Sequence, residues 1–319
     1  MKLVRTRHRR LLSTYGWNER TNPIPTNADW LNQTSITFSS YLGDMREWLD
    51  STNQCFESIK RDFEQNGFAV LRQIVDRENL EIYKNMHDVI QNDLITPGRH
   101  DLGSHKEKVS TNDSENIGQI MWPSDLIQNS REGPIHRRAY EISKSLMTPS
   151  SHNDEISFDF DMLIYKPAHS MTETPWHQDE AYWPSEIPDK QAITVWTALD
   201  PATKANGAMW FVPFSHLGEL HEHESAGPES HVLKTKNEIK EDMGICVELE
   251  AGDAVFWHGR TLHYSRGNAT SQKRRTYIVN FRPESCVAFE RENGFDHLRK
   301  GFADYETQMQ VAGDAMRRK

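Results

Sequence analysis

His177 and Asp179 stand two residues apart in the run Pro175-Trp176-His177-Gln178-Asp179-Glu180. On an extended strand, residues i and i+2 share a face, so an imidazole and a carboxylate would stand side by side with Gln178 turned away. A third donor has to arrive from elsewhere, and His263, in the run Phe256-Trp257-His258-Gly259-Arg260-Thr261-Leu262-His263-Tyr264-Ser265, is the candidate. Two histidines and one carboxylate on a single face, with the remaining metal positions open, suit non-haem Fe(II) and O2 chemistry. A His-Asp pair alone is a weak signal, because a hydrogen-bonded structural pair has the same spacing. A second cluster strengthens it. Ser265 is followed by a Gly267-Asn268 turn and then by Lys273-Arg274-Arg275 entering a strand. If 264–266 and 274–276 pair, Ser265 and Arg274 face one pocket. A hydroxyl beside a guanidinium is a receptor for a carboxylate, since the arginine fork makes bidentate, charge-assisted bonds. One register step would put Arg275 there instead. An open metal beside such a clamp suits a 2-oxo diacid, its keto-acid end on the metal and its far carboxylate on the arginine.

Rigid elements must hold these groups. From about residue 157 short β-type runs follow one another, at 158–165, 192–199, 209–212, 245–249, 254–257 and 276–281. Asn206-Gly207, Gly227-Pro228, Gly252-Asp253 and Gly267-Asn268 divide them. Many short strands split by such turns predict a sandwich or barrel, and about eight strands close naturally as a jelly roll. The upstream half reads as helix over 42–65, a strand at 68–71 after the Asn66-Gly67 turn, and helices over 77–94 and 135–147. Residues 96–118 are polar and read as a long loop. Gln119-Ile120-Met121-Trp122 interrupts it with apolar surface that either lines a pocket or forms an ordinary strand. Residues 287–319 are charged and read as helix. The expected architecture is mainly β with flanking helices around a double-stranded β-helix (jelly-roll, cupin-like) core. A 1–55 N-terminal extension would precede a single domain over 56–319, with the core from about 157 to 283.

The chain resembles the phytanoyl-CoA dioxygenase-like family of Fe(II)/2-oxoglutarate oxygenases over roughly residues 60–283. The matching stretches are Phe63-Glu64-Gln65-Asn66-Gly67-Phe68-Ala69-Val70-Leu71, Met162-Leu163-Ile164-Tyr165-Lys166-Pro167, His177-Gln178-Asp179 and Val195-Trp196-Thr197-Ala198-Leu199-Asp200. Asn206-Gly207 with Val212-Pro213-Phe214-Ser215-His216 follows, then Gly252-Asp253 through His263, Ser265 and Arg274. The resemblance implies that His177, Asp179 and His263 ligate Fe(II). It implies that Arg274 and Ser265 hold the far carboxylate of 2-oxoglutarate, with Trp196 along that cosubstrate. Asp179 is kept where halogenating relatives replace it, which implies hydroxylation or a related C–H oxidation with O2, releasing succinate and CO2. Gln119 and Trp122 are the candidate substrate contacts.

Composition narrows the alternatives. The net charge is −10 over 319 residues, and no basic, aromatic-interleaved stripe suggests nucleic acid. No run approaches the ~20 apolar residues that span a bilayer. Cys55, Cys246 and Cys286 are three in number and widely spaced, which fits a reducing compartment without disulfides and excludes a cysteine-rich zinc site. Cys246 and Cys286 sit in apolar strand contexts and read as inert. Lys2, Arg5, Arg7, Arg9 and Arg10 precede the first acid, Glu19. They suggest a flexible basic arm in a cytoplasmic protein, with a targeting segment as the other reading. His258 reads as structural, and the His216, His221 and His223 group as a solvated loop. The expected partner is a small-molecule substrate, and oligomeric state is not readable. Two further functions stay open. One is a cupin-like zinc enzyme without redox chemistry, since zinc accepts the same ligands. The other is a non-catalytic small-molecule-binding relative.

Overall fold

The computed structural model describes residues 45–52, 54–92, 99–102, 117–127, 129–148, 154–187, 189–227, 230–299 and 305–317. The basic arm at 1–18 and most of the 96–118 loop lie outside these residues. Chain order begins with helices α1 (Met45–Ser51) and α2 (Phe56–Asn66), strand β1 (Phe68–Leu71) and helix α3 (Arg77–Asn92). Strands β2 (Arg99–Leu102) and β3 (Ile117–Met121) follow, then helices α4 (Pro123–Leu126) and α5 (Pro134–Leu146). Next come β4 (Ile156–Lys166), β5 (Thr174–His177), β6 (Ile193–Ala198), β7 (Met209–Phe211), β8 (His223–Ser225), β9 (Leu233–Thr235) and β10 (Ile245–Val247). The chain continues through β11 (Ala254–His258), β12 (His263–Ser265), β13 (Arg274–Pro283), α6 (Glu284–Glu292) and α7 (Tyr305–Arg317).

Two antiparallel sheets make the jelly roll. The larger has the order β1-β11-β6-β13-β4-β3-β2, the smaller β10-β7-β12-β5. Side chains alternate across each strand of the larger sheet, and the alternation assigns its two faces. Leu163, Val195, Phe256, Tyr277 and Val279 point to the helices and join Trp48, Phe63, Tyr83, Met86 and Ile142 in one core. Trp196, Val255, Trp257 and Ile278 point the other way, to Met209, Phe211 and Val247 of the smaller sheet. The site lies between the sheets.

The expected 42–65 helix is two helices, α1 and α2, and Trp48 and Leu49 of α1 belong to the main core. The 99–102 stretch of the expected loop is strand β2, paired with β3. At the end of α2 the chain must turn sharply. Gly67 takes φ 83° and donates its N–H to Phe63 O at 2.8 Å, the left-handed stop that glycine accepts without steric cost. A Cβ there would lie 2.5 Å from His216 Nδ1. Cys286 sits on α6, not on a strand, while Cys246 is on β10. No helix among the described residues is long and apolar enough to cross a membrane.

Candidate active site

His177 ends β5 and faces His263, its register partner on β12. Their rings are 4.1 Å apart between centroids. Asp179 does not continue the strand. It opens a short 3-10 turn, Asp179–Tyr182. Gln178 remains extended, at φ −121° and ψ 131°, so the same-face relation of the two flanking residues survives. His177 Nε2 is 3.6 Å from Asp179 Oδ1 and His263 Nε2 is 3.3 Å from it. Among the described residues, this trio is one of two groups whose ligand atoms lie within 4.8 Å of one another.

Backbone carbonyls orient both imidazoles. His177 Nδ1 bonds Pro175 O at 2.8 Å and His263 Nδ1 bonds Thr261 O at 2.9 Å. A carbonyl only accepts, so each Nδ1 carries the proton and each Nε2 presents its lone pair to the centre. Asp179 Oδ2 accepts from Thr194 Oγ1 at 2.8 Å and from Trp257 Nε1 at 2.9 Å. Burial alone would raise the Asp179 carboxyl, but the two imidazoles outweigh it and hold the group well below the usual carboxylate range. Burial and the neighbouring His263 hold the His177 imidazole below its ordinary value. The donor set is therefore two imidazole nitrogens and one carboxylate oxygen, which fits a divalent iron.

Gln178, turned outward, fixes the ligand loop. Its N–H donates to His223 Nε2 at 3.1 Å, its side-chain amide donates to Arg260 O at 2.8 Å, and its Oε1 accepts from His221 N at 2.9 Å. Arg260 makes a two-pronged bond to Glu180, at 2.7 and 2.8 Å. The segments bearing the first two ligands and the third are thus tied together outside the centre. His221 and His223 serve this scaffold, whereas His216 Nε2 bonds Glu64 O on α2 at 3.1 Å. His258 Nδ1 accepts the Arg260 N–H at 3.1 Å, and His258 is not on the cavity wall.

One cavity joins the trio to Ser265, Arg274 and Trp196. Arg274 and Ser265 do not reach it from paired strands. β12 belongs to the smaller sheet and β13 to the larger, and the two residues approach from opposite walls. Alternation along β13 separates the two arginines. Arg274 is buried on the cavity side, with its guanidinium 5.2 Å from the Trp196 ring centroid. Arg275 is on the helix side, bonded to Asp200 at 2.7 and 2.8 Å and to Asp88 on α3 at 2.9 Å. Arg274 Nε and Nη1 have no hydrogen-bond partner among the described residues. Burial pushes this guanidinium down to about 9. A buried cation with two unpaired donors is costly until an anion meets it, so the residues present fit a carboxylate-bearing cosubstrate.

A family model described as phytanoyl-CoA dioxygenase matches residues 63–276. The chain belongs to the phytanoyl-CoA dioxygenase family. The peroxisomal phytanoyl-CoA dioxygenase of Homo sapiens is 25% identical over 262 residues, covering 79% of this chain and 75% of that one. A probable phytanoyl-CoA dioxygenase of Caenorhabditis elegans is 25% identical and covers 74% and 78%. Among solved structures, EvdO2 from Micromonospora carbonacea var. aurantiaca in complex with 2-oxoglutarate matches with TM-score 0.58 at 24% identity, over 71% of this chain and 91% of that one. That likeness carries the fold. With the family and the His-Asp-His trio, the protein is an Fe(II)- and 2-oxoglutarate-dependent oxygenase acting on a small molecule.

Beyond the trio, the wall of this family member's cavity includes Gln119, Met121, Phe160, Met162, Trp183 and His297. Gln119 and Met121 share one face of β3, as alternation requires. Trp122 does not reach the wall. It takes a left-handed φ of 60° just after the strand, and its indole N–H donates to His297 O at 2.9 Å. It supports the pocket from behind. Tyr182 and Trp183 line the cavity, whereas Trp176 packs with Trp210, Leu262 and Tyr264. His231 and His297 also line it, and the sequence marks neither. No local motif marks them, because each arrives from a segment outside the strand pattern.

Proposed function

We propose that His177, Asp179 and His263 hold the ferrous ion, and that Arg274, with Ser265, receives the far carboxylate of 2-oxoglutarate above the Trp196 ring. The enzyme then oxidises an unactivated C–H bond of a small organic molecule seated at the Gln119 end of the cavity. The carrying observation is the fully enclosed Arg274 guanidinium, which shares one cavity with the trio and leaves Nε and Nη1 unpaired. Iron with 2-oxoglutarate and O2 supplies the oxidising power, and succinate and CO2 leave. The protein's own residues orient and exclude. Pro175 O and Thr261 O fix the imidazole tautomers, Thr194 and Trp257 orient the Asp179 carboxylate, and apolar walls keep water from the reacting end. Trp122 acts indirectly here, through His297, and not as a substrate contact.

A zinc enzyme without redox chemistry would have no use for the Arg274 clamp. Residues 56–319 read as a single oxygenase domain with α1 packed against it, and the three unpaired cysteines fit a cytoplasmic setting. Two measurements test the proposal. Binding of 2-oxoglutarate should require a divalent metal and Arg274. Succinate release should require Fe(II), O2 and a substrate found by metabolite screening. Metal-independent 2-oxoglutarate binding, or equal binding by the Arg274→Ala protein, would overturn the assignment.

A further inference from the structure

Arg274 and Ser265 meet at one cavity although their strands belong to different sheets. Strand pairing cannot set the distance between them, so some other link has to. Lys166 supplies one. On β4 it is the register partner of Arg274 on β13, and side chains directly opposite on paired strands share a face. Met162 and Ile164 precede it on the same face of β4 and line the cavity. Lys166 lies beyond the wall and is fully buried. Its Nζ donates to Ser265 O at 3.3 Å, to Arg266 O, and to Thr172 O at 3.3 Å. A carbonyl only accepts, and three N–H donors are what an ammonium carries. Ser265 ends β12 and Arg266 follows it. A side chain of the larger sheet thus holds the smaller sheet at the very residue that bears the Ser265 hydroxyl.

The corner is built around this lysine. Gly207 takes φ 93°, and a Cβ there would lie 2.7 Å from Arg266 O, 2.9 Å from Lys166 Cδ and 3.4 Å from Arg274 Nη2. The space beside this one glycine is bounded by all three parts of the link. Asn268, also fully buried, fixes the backbone of the lysine. Its side-chain amide donates to Lys166 O at 3.1 Å, Pro167 O at 2.9 Å and Gln272 O at 2.7 Å. The Asn206-Gly207 and Gly267-Asn268 turns therefore close round one side chain. Burial and the Arg274 guanidinium push Lys166 well below its ordinary value. The acids whose charge reaches the two cations are Asp200 and the exposed Glu173, and Arg275 already holds Asp200 at 2.7 and 2.8 Å. A buried lysine bonded only to backbone carbonyls is a costly strut beside a second buried cation, unless the site in front of it takes an anion.

We propose that Lys166 is a positioning residue of the cosubstrate site: it draws the end of β12 toward the Arg274 strand, so that the Ser265 hydroxyl and the Arg274 guanidinium converge on one carboxylate. The proposal rests on the assignment of this end to 2-oxoglutarate. Lys166 does not touch the cosubstrate and acts through Ser265.

Two ligands of equal length test it. 2-Oxoglutarate and 2-oxopentanoate differ only in the far group, a carboxylate or a methyl. Their affinities for the protein loaded with Mn(II) are measured by calorimetry. Wild type should prefer the diacid by at least ~10²-fold, since the methyl leaves the buried guanidinium unmatched. Lys166→Met keeps an unbranched stem and removes the donors. The preference should then fall by about tenfold to hundredfold, the worth of one hydrogen bond to a charged group. Manganese affinity should not change, because His263 keeps its pairing to His177 and Phe211. Ser265→Ala should cost a similar factor in the wild type, but less than about threefold in the Lys166→Met protein, since the two act as one unit. A lysine that only stabilised the fold would weaken both ligands alike and leave their ratio intact. An unchanged ratio, a loss of manganese binding, or a Ser265→Ala effect undiminished in the Lys166→Met protein would each overturn the proposal. Gly207→Ala is a second route, because its Cβ must displace Arg266 O with the lysine still in place. It should also lower the preference for the diacid. An unchanged preference there would overturn the proposal even if the Lys166→Met protein failed to fold. Absence of metal-dependent 2-oxoglutarate binding in the wild type would instead sink the assignment of this end.

Discussion

The two ends of the one cavity are built on opposite electrostatic plans. At the iron end the chain buries groups it does not satisfy: Arg274 keeps two donors unpaired, and two imidazole lone pairs converge on the Asp179 oxygen. At the other end the charges of Asp159, Glu290, Arg282 and Arg291 pair with one another behind Trp183 and His297, although Arg282 Nε and Nη2 lack a hydrogen-bond partner among the described residues. An end left in electrostatic debt expects ions. An end whose charges are already paired makes no such demand. The cost of an unpaired buried charge thus separates the cosubstrate half from the substrate half without any ligand in view.

The largest effects should come from the unsatisfied end. His177→Ala removes one of three ligands, so turnover should fall to background and stoichiometric iron should be lost, read by metal analysis after desalting. Iron retained at wild-type stoichiometry would break the contrast at its root. Arg274→Ala comes next. Breaking a buried ion pair costs about 3–5 kcal/mol, so the 2-oxoglutarate requirement should rise ~10²- to 10⁴-fold with iron still bound. Arg275→Ala is the control, because its partners Asp200 and Asp88 face the helices. It should cost about 1 kcal/mol of stability and leave that requirement alone. The reverse pattern would mean that the strand parity is misread.

Acid gives a smaller effect on the scaffold behind the iron end. Burial, with the nearby His216, pushes the His258 imidazole down to about 4 from 6.5. The unfolded chain therefore takes up a proton that the folded one refuses. Stability from this group is full above 6.5 and is lost as pH falls toward 4, about 2 kcal/mol by pH 5. Urea unfolding at pH 7.5 and 5 measures it. His258→Asn keeps an acceptor for the Arg260 N–H and should flatten the slope. An unchanged slope would place the acid sensitivity elsewhere.

The same contrast explains what the chain disclosed before its fold was known. The iron end follows from local rules: an i, i+2 pair on an extended backbone, and alternation that separates Arg274 from Arg275. Even where the local picture was off, at the 3-10 turn opened by Asp179 and at the unpaired β12 and β13, the residues still met, because strand parity constrained them more than the exact pairing did. The substrate end obeys no such rule. Gln119 comes from β3, Phe160 and Met162 from β4, His231 from the β8–β9 loop, and His297 from a left-handed pair after α6. The apolar run at 119–122 predicted a pocket wall or an ordinary strand. It could not show that a positive φ at Trp122 turns its indole behind the wall while Gln119 stays on it. Cys286 misled for a related reason, since an apolar neighbourhood does not tell helix from strand over so few residues.

The smallest predicted effect is the finest probe of the iron end. Trp257 donates to Asp179 Oδ2 at 2.9 Å, and its ring lies 4.8 Å from His263 and 5.3 Å from Phe211. Trp257→Phe keeps an aromatic ring in that stack and removes only the N–H. Thr194 continues to hold the same oxygen, so the carboxylate should stay oriented but less firmly. Partners of this kind are worth about 10- to 100-fold in metal affinity, and with one of two retained the loss should be near ~10-fold. Chelator competition reads it directly. The 2-oxoglutarate requirement at saturating iron should not move, because Arg274 is untouched. If it rose in step with the iron constant, metal and clamp would be one cooperative unit, and the division of the cavity would have to be redrawn between that unit and the His297 wall.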